Sequence, residues 1–149
     1  MKISFDLDGV VCSTDWGYLD YLRDKGFPRN DEEKYYACLE NWLNPYDFLG
    51  VNDEAVFLTG RPLHLKDITL KWLKKNGYGN IPVIFTKTIK DGSAKGIKKE
   101  FKSLGKAKAE FFIKEGIDIH FDDNEQVVES MRAALPNVVV IHYGNHVAW

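Results

Sequence analysis

The sequence predicts an α/β fold: a parallel sheet with helices on both faces. Short apolar stretches recur at wide intervals along the 149 residues, and helical patterns lie between them. Several stretches, such as Val138-Val139-Val140-Ile141, are apolar without interruption. A strand covered on one face alternates apolar and polar residues. An unbroken apolar strand is covered on both faces, as strands of parallel sheets are. The intervening helices supply the crossovers such a sheet needs.

Strands are expected over 2–7, 54–58, 82–85, 117–121 and 137–142. A helix is expected over 63–76, with Leu65, Ile68, Leu70, Trp72 and Leu73 at helical spacing and a stop at Gly77. Another is expected over 107–114, carrying Phe111, Phe112 and Ile113 and ending at Gly116. A third, over 125–135, follows the capping residues Asp123-Asn124 and ends before Pro136. Residues 12–53 differ: two helical stretches, about 15–25 and 31–43, are separated by Pro28-Arg29-Asn30 and followed by Asn44-Pro45. Trp16, Tyr18, Tyr21, Tyr35, Tyr36, Trp42, Tyr46 and Phe48 crowd this segment. Most are expected in the core at one end of the sheet, with a minority at the mouth of a site. There is no repeat, low-complexity tract or dividing linker, so a single domain over 1–149 is expected.

Composition is that of a globular protein, 44% hydrophobic and 28% charged. No apolar run approaches the roughly 20 residues that span a bilayer. Asp6 and Asp8 interrupt the apolar stretch near the N-terminus, which no secretory signal tolerates. Cys12 and Cys38 form no Cys-x-x-Cys and read as small buried residues. A cytoplasmic, reduced protein is the simplest expectation. Net charge is −2, unevenly spread: residues 1–60 hold twelve acids against five bases, whereas 87–114 hold nine lysines against three acids. Such a basic segment is either a solvated helix face or a surface for a polyanion.

The chemistry concentrates where strands end, the place at which open parallel sheets bind ligands. Asp6-Leu7-Asp8-Gly9 closes the first strand. Residues two apart in a strand share a face, so Asp6 and Asp8 would project together while Leu7 packs inward. Two such carboxylates repel unless a cation or a shared proton compensates. Gly9 frees the backbone for a sharp exit. A divalent cation beside a nucleophilic carboxylate satisfies that geometry. Thr59-Gly60-Arg61-Pro62 follows the second strand and Asp122-Asp123-Asn124 the fourth. Thr59 offers a hydroxyl and Gly60 a closely approachable N–H for a phosphoryl oxygen, or the two make a plain strand-to-helix turn with Pro62 at the first helical position. Arg61 would touch either the substrate or a local carboxylate. Lys106 and Lys108 fall at the start of a helix.

Taken in order, these four motifs resemble the haloacid dehalogenase superfamily, whose usual members are magnesium-dependent phosphatases on a Rossmann-like fold. The stretch from Asp122 to Val128 and the run Lys108-Ala109-Glu110-Phe111-Phe112 look like polynucleotide kinase 3′-phosphatase domains and related deoxyribonucleotidases. The resemblance implies that Asp6 is the nucleophile and Asp8 a general acid and then base. It implies Mg²⁺ held by Asp6, the main-chain carbonyl of Asp8 and one of Asp122 and Asp123. It implies phosphate contacts from Thr59, Gly60 and Arg61. One lysine would neutralise the phosphoryl group, Lys108 fitting the pattern better than Lys106. An Asp at position 8 separates the phosphatases from the dehalogenases of that superfamily. No full cap domain is expected; residues 12–53 would form a helical flap or minimal cap. An open site admits bulky substrates, so a nucleotide or nucleic-acid terminal phosphate is the expected substrate. A sugar phosphate, a phosphoprotein or another small metabolite is the alternative, and a non-catalytic protein that binds phosphate ends is a third reading.

Overall fold

A computed structural model describes residues 1–26, 29–86 and 97–143. Five strands make one sheet: β1 (Lys2–Phe5), β2 (Glu54–Thr59), β3 (Val83–Phe85), β4 (Ile119–Asp122) and β5 (Val139–His142). Their order is β3-β2-β1-β4-β5, and every neighbouring pair is parallel. The helices are α1 (Trp16–Asp24), α2 (Arg29–Ala37), α3 (Lys66–Lys75), α4 (Ile97–Lys114) and α5 (Glu125–Ala134). This is the expected α/β architecture, a Rossmann-like parallel sheet flanked by helices.

Side chains alternate across the sheet and so feed two cores. Ile3 and Phe5 join Phe57, Phe121, Trp72 and Leu73 on one face. Val56, Leu58 and Val140 join Ala109 and Phe112 of α4 and Val127, Val128 and Met131 of α5 on the other. Fully burying each such side chain contributes roughly 1.5–3 kcal/mol. Helices α4 and α5 meet closely at Gly105, where a Cβ would lie 2.6 Å from that of Ser130. A third cluster, Leu19, Tyr36 and Leu65, fastens α1 and α2 to the turn before α3. Glu32 of α2 and His64 of that turn also pair.

Several boundaries depart from the sequence reading. β1 stops at Phe5 because the Leu7 carbonyl accepts the N–H groups of Val10, Val11 and Cys12 in a tight turn. The second helix of the 12–53 segment ends at Ala37, not 43. Beyond it the backbone is tied to the loop after β1: Ser13 donates to the Glu40 carbonyl and Trp42 to that of Val11. The helix expected over 107–114 is the last part of the eighteen-residue α4. Lys106 and Lys108 therefore sit mid-helix, because the polar, lysine-rich turns before them hide its start. Of the eight aromatics named above in 12–53, Tyr36 is buried, whereas Tyr18, Tyr21, Trp42, Tyr46 and Phe48 are exposed. Of the basic segment, 87–96 lie outside the described residues. No helix among the described residues is long and apolar enough to cross a membrane.

Candidate active site

Strand order reverses between β1 and β4, which is where doubly wound sheets open a crevice beyond the strand ends. Asp6 leaves β1 there, its N–H still donating to the Phe121 carbonyl at 2.9 Å. Asp122 ends β4, and Asp123 follows it. One carboxylate oxygen from each of Asp6, Asp122 and Asp123 lies within 4.8 Å of the others, and all three residues are buried. Lys108 reaches in from α4, its Nζ donating to Asp122 Oδ2 at 2.6 Å and standing 3.0 Å from Asp6 Oδ1. Lys106, two residues earlier, is exposed. Asn124 turns the chain, donating its N–H to Asp122 Oδ1 at 3.2 Å while its side chain caps α5.

Electrostatics sort the carboxylates. Burial pushes Asp6 upward, as does the charge of Asp122, against the pull of Lys108. Burial and Asp122 raise Asp123 to about 7. Asp122 goes the other way: burial alone would raise it, but Lys108 and His120 hold it well below the usual carboxylate range. Lys108 stays charged because Asp122 and Asp6 outweigh the cost of its burial. Three buried acids against one lysine leave negative charge that an added cation would compensate. The donors are all oxygen, which suits a hard cation such as Mg²⁺ or Ca²⁺ and not zinc. The cluster could therefore hold a metal.

Gly9 makes room for it. Its φ is +85°, in the left-handed region, and a Cβ there would stand 1.9 Å from Asp123 Oδ2. Trp16, the first residue of α1, donates its indole N–H to that same oxygen at 3.3 Å. His142 Nε2 donates to the Asp123 carbonyl at 2.8 Å.

Asp8 lies apart from this cluster. Its carboxylate accepts a two-pronged grip from Arg61, Nε to Oδ2 at 2.9 Å and one terminal nitrogen to Oδ1 at 2.6 Å. Thr14 donates its hydroxyl to Oδ1 at 2.6 Å. Burial alone would raise Asp8, but Arg61 more than offsets it and the group lies below its ordinary range. Arg61 also donates to Thr69 Oγ1 at 3.0 Å and lies over the Tyr36 ring, 4.5 Å from its centroid. Of the two contacts expected for Arg61, the structure displays the local carboxylate, and its buried guanidinium is taken up there. Thr59 and Gly60 build the turn that delivers it. Thr59 Oγ1 accepts the Arg61 N–H at 3.1 Å, and a Cβ on Gly60 would meet Leu104 of α4 at 2.7 Å.

The structure thus brings Asp6, Lys108, Asp122 and Asp123 into one cluster, with Asp8 and Arg61 as a second buried pair. Sequence reasoning missed Ser4, Thr14 and His120, and named Trp16 only among the aromatics of which a minority was expected at the mouth of a site. Two of these had a signal. His120 lies two residues before Asp122 and Ser4 two before Asp6, the same spacing that joined Asp6 to Asp8 on paper. Thr14 had none, since its placement depends on how the loop after β1 folds back.

No family model matches the chain, and no curated protein matches it. Among solved structures, a chain of the Pnkp1/Rnl/Hen1 RNA repair complex is similar, with a TM-score of 0.58 and 18% identity. The likeness covers 97% of this chain and 43% of that one, so this chain spans less than half of its neighbour's length. At that identity the likeness speaks for the fold alone. Fold and site together define a Rossmann-like α/β protein with a buried acidic cluster beside a lysine.

Proposed function

We propose that the protein is a Mg²⁺-dependent phosphomonoesterase that acts on a nucleotide or nucleic-acid terminal phosphate through an aspartyl-phosphate on Asp6. The observation that carries this reading is Lys108 between Asp6 and Asp122, with Asp123 alongside, at the sheet's switch point. That is a nucleophile, a fixed positive charge and a cation cradle within a few ångströms. In the first half-reaction an Asp6 oxygen bonds to phosphorus and the ester oxygen leaves. In the second, water displaces Asp6, whose carboxylate is restored. Lys108 neutralises the transferring phosphoryl oxygens and restrains Asp6. Asp6 and Asp123 would hold the Mg²⁺, with the main-chain carbonyl of Asp8, and Asp122 serves to hold the lysine. This division follows from charge: Asp122 is already neutralised by Lys108, whereas Asp123 is not. Mg²⁺ supplies further compensation for the meeting of anionic carboxylate and phosphate.

Asp8 protonates the leaving oxygen and then takes a proton from the attacking water. Its grip by Arg61 favours the ionised form, which suits the second role; the first requires Asp8 to take up a proton against that grip. Residues 12–53 act as a minimal cap that places Trp16 and Thr14 at the site and leaves room for a polymer end. The neighbour from an RNA repair complex supports a nucleic-acid end as substrate. The closed Arg61–Asp8 pair favours one other reading, a protein that binds phosphate ends without turnover. Release of phosphate from p-nitrophenyl phosphate with Mg²⁺, and none in EDTA, is the expected result; no release under any divalent cation favours the binding reading. Mononucleotides, 3′-phosphorylated oligonucleotides and sugar phosphates compared side by side then decide the substrate class.

A further inference from the structure

His120 sits on β4 and is fully buried, 0% exposed. Its register partner across the β1–β4 seam is Ser4. Ser4 Oγ lies 2.7 Å from His120 Nδ1, and His120 Nε2 lies 2.9 Å from Asp122 Oδ2. We infer that His120, oriented by Ser4, is a positioning residue that fixes the Asp122 carboxylate and so keeps Lys108 suspended between Asp122 and Asp6. The inference rests on the phosphomonoesterase reading of the site.

The donor and acceptor roles follow from chemistry. An ionised carboxylate only accepts, so the ring proton facing Asp122 is on Nε2. Nδ1 is then the acceptor, and the Ser4 hydroxyl donates to it. The Ile119 carbonyl, 3.4 Å from Ser4 Oγ, is the poorer target for that single proton. Asp122 is now held from two sides, Oδ2 by His120 and Oδ1 by the Asn124 N–H at 3.2 Å. With its plane fixed, the carboxylate accepts a hydrogen bond from one Lys108 N–H. A second goes to Asp6, leaving the third for a phosphoryl oxygen. Without the imidazole donor, only Lys108 holds Asp122 Oδ2, and the lysine is drawn away from Asp6. Next to this apolar core, a purely space-filling role would go to an apolar side chain, since a buried ring with unmatched nitrogens is costly.

Three variants and two readouts test this. His120→Phe keeps the volume and removes the donor, His120→Gln keeps an amide N–H near the place of Nε2, and Ser4→Ala removes the hydroxyl that donates to Nδ1 and orients the ring. With Mg²⁺ and p-nitrophenyl phosphate, His120→Phe should lose about 10- to 100-fold in kcat, the usual range for removing a partner behind a site's ligands, with KM little changed. His120→Gln should recover most of the loss. Nitrogen-15 NMR of the wild-type ring should show the proton on Nε2, and Ser4→Ala should leave it there, since the Asp122 carboxylate fixes it. A folded His120→Phe variant with wild-type kcat, a glutamine variant as slow as the phenylalanine one, or a ring protonated on Nδ1 each overturns the inference. Wild-type protein that releases no phosphate overturns the enzymatic reading instead, and the tautomer then still decides whether His120 donates to Asp122.

Discussion

Asp123→Asn should stabilise the metal-free protein while abolishing its response to Mg²⁺. Asp123 is raised to about 7 in the fold from an ordinary 3.8, chiefly by burial and next by Asp122. The folded state then binds this proton more tightly than the unfolded one. So the contribution of Asp123 to stability falls as pH rises from about 4 to about 7, and is flat above. At roughly 1.4 kcal/mol per pH unit, keeping the ionised side chain in place at pH 8 costs about 4 kcal/mol. Asp6, raised too, acts in the same direction. Asp8 is lowered, so its contribution runs oppositely: present above the ordinary carboxylate range, lost as pH falls through its folded value. Metal-free protein should therefore be most stable in mildly acid solution. Asparagine keeps the shape, can still accept from Trp16 and carries no charge. Recovering half or more of the cost should raise Tm at pH 8 by roughly 4–16 °C, taking about 2–4 °C per kcal/mol for a chain of this size. The assay is thermal unfolding of wild type and variant at pH 5 and pH 8, in EDTA and in Mg²⁺. Wild type should gain stability from Mg²⁺ at pH 8, and the variant should not. If the variant in EDTA melts no higher than wild type at pH 8, or if Mg²⁺ raises both equally, the charge argument is wrong.

Asp6→Asn should cut turnover at least about 10³-fold with an unchanged circular dichroism spectrum, since it removes a covalent nucleophile; near-normal rates would reassign Asp6. Gly9→Ala should push Asp123 aside and strain the turn by about 1–2 kcal/mol, visible as a lower Tm and a lost Mg²⁺ response. Arg61→Ala strands a buried Asp8 and should destabilise by about 3–5 kcal/mol, measured by urea unfolding at pH 7; a neutral outcome would show that Asp8 is solvated. If a polyanion is the substrate, phosphorylated oligonucleotides should outpace p-nitrophenyl phosphate by a margin that shrinks with salt. Neutralising Lys95, Lys98 and Lys99 should then slow only the oligonucleotides, and unchanged kinetics would leave the small-metabolite reading ahead.

The parallel sheet was legible because its strands are written locally. Val56 to Leu58 is apolar enough to declare cover on both faces and is buried on both, whereas Val138 to Ile141, which reads the same way, belongs to the edge strand β5 and leaves Val139 half exposed. The positions of Asp6, Asp122 and Asp123 were legible for a related reason, since each lies where such a run stops. What stayed hidden depends on distant chain. That Asp8 turns to Arg61 and away from the acidic cluster is decided by the Leu7 turn, not by strand alternation, which ends at Phe5. Nor could spacing choose between Lys106 and Lys108, both inside one long polar helix. The choice is made by the close contact of Gly105 with Ser130, which sets the helix face that carries Lys108 inward. The boundary of α2 was misread because residues 38–43 carry helical composition yet are tied to residues 11–13 by backbone bonds.

The β1–β4 seam also has a consequence for the order of assembly. A chain made from its N-terminus can pair β1 with β2 and β2 with β3 as each emerges, but the other edge of β1 waits for β4. Asp6 consequently stands alone at an open edge while residues 7–121 are synthesised. Its repulsive neighbours, Asp122 and Asp123, arrive last, and Lys108 has been made fourteen residues before the first of them. The counter-charge is thus already in the growing chain whenever the acids can meet. A rearrangement of the gene that moved α4 behind β4 would reverse that sequence of events and leave the carboxylates to converge with no lysine yet made.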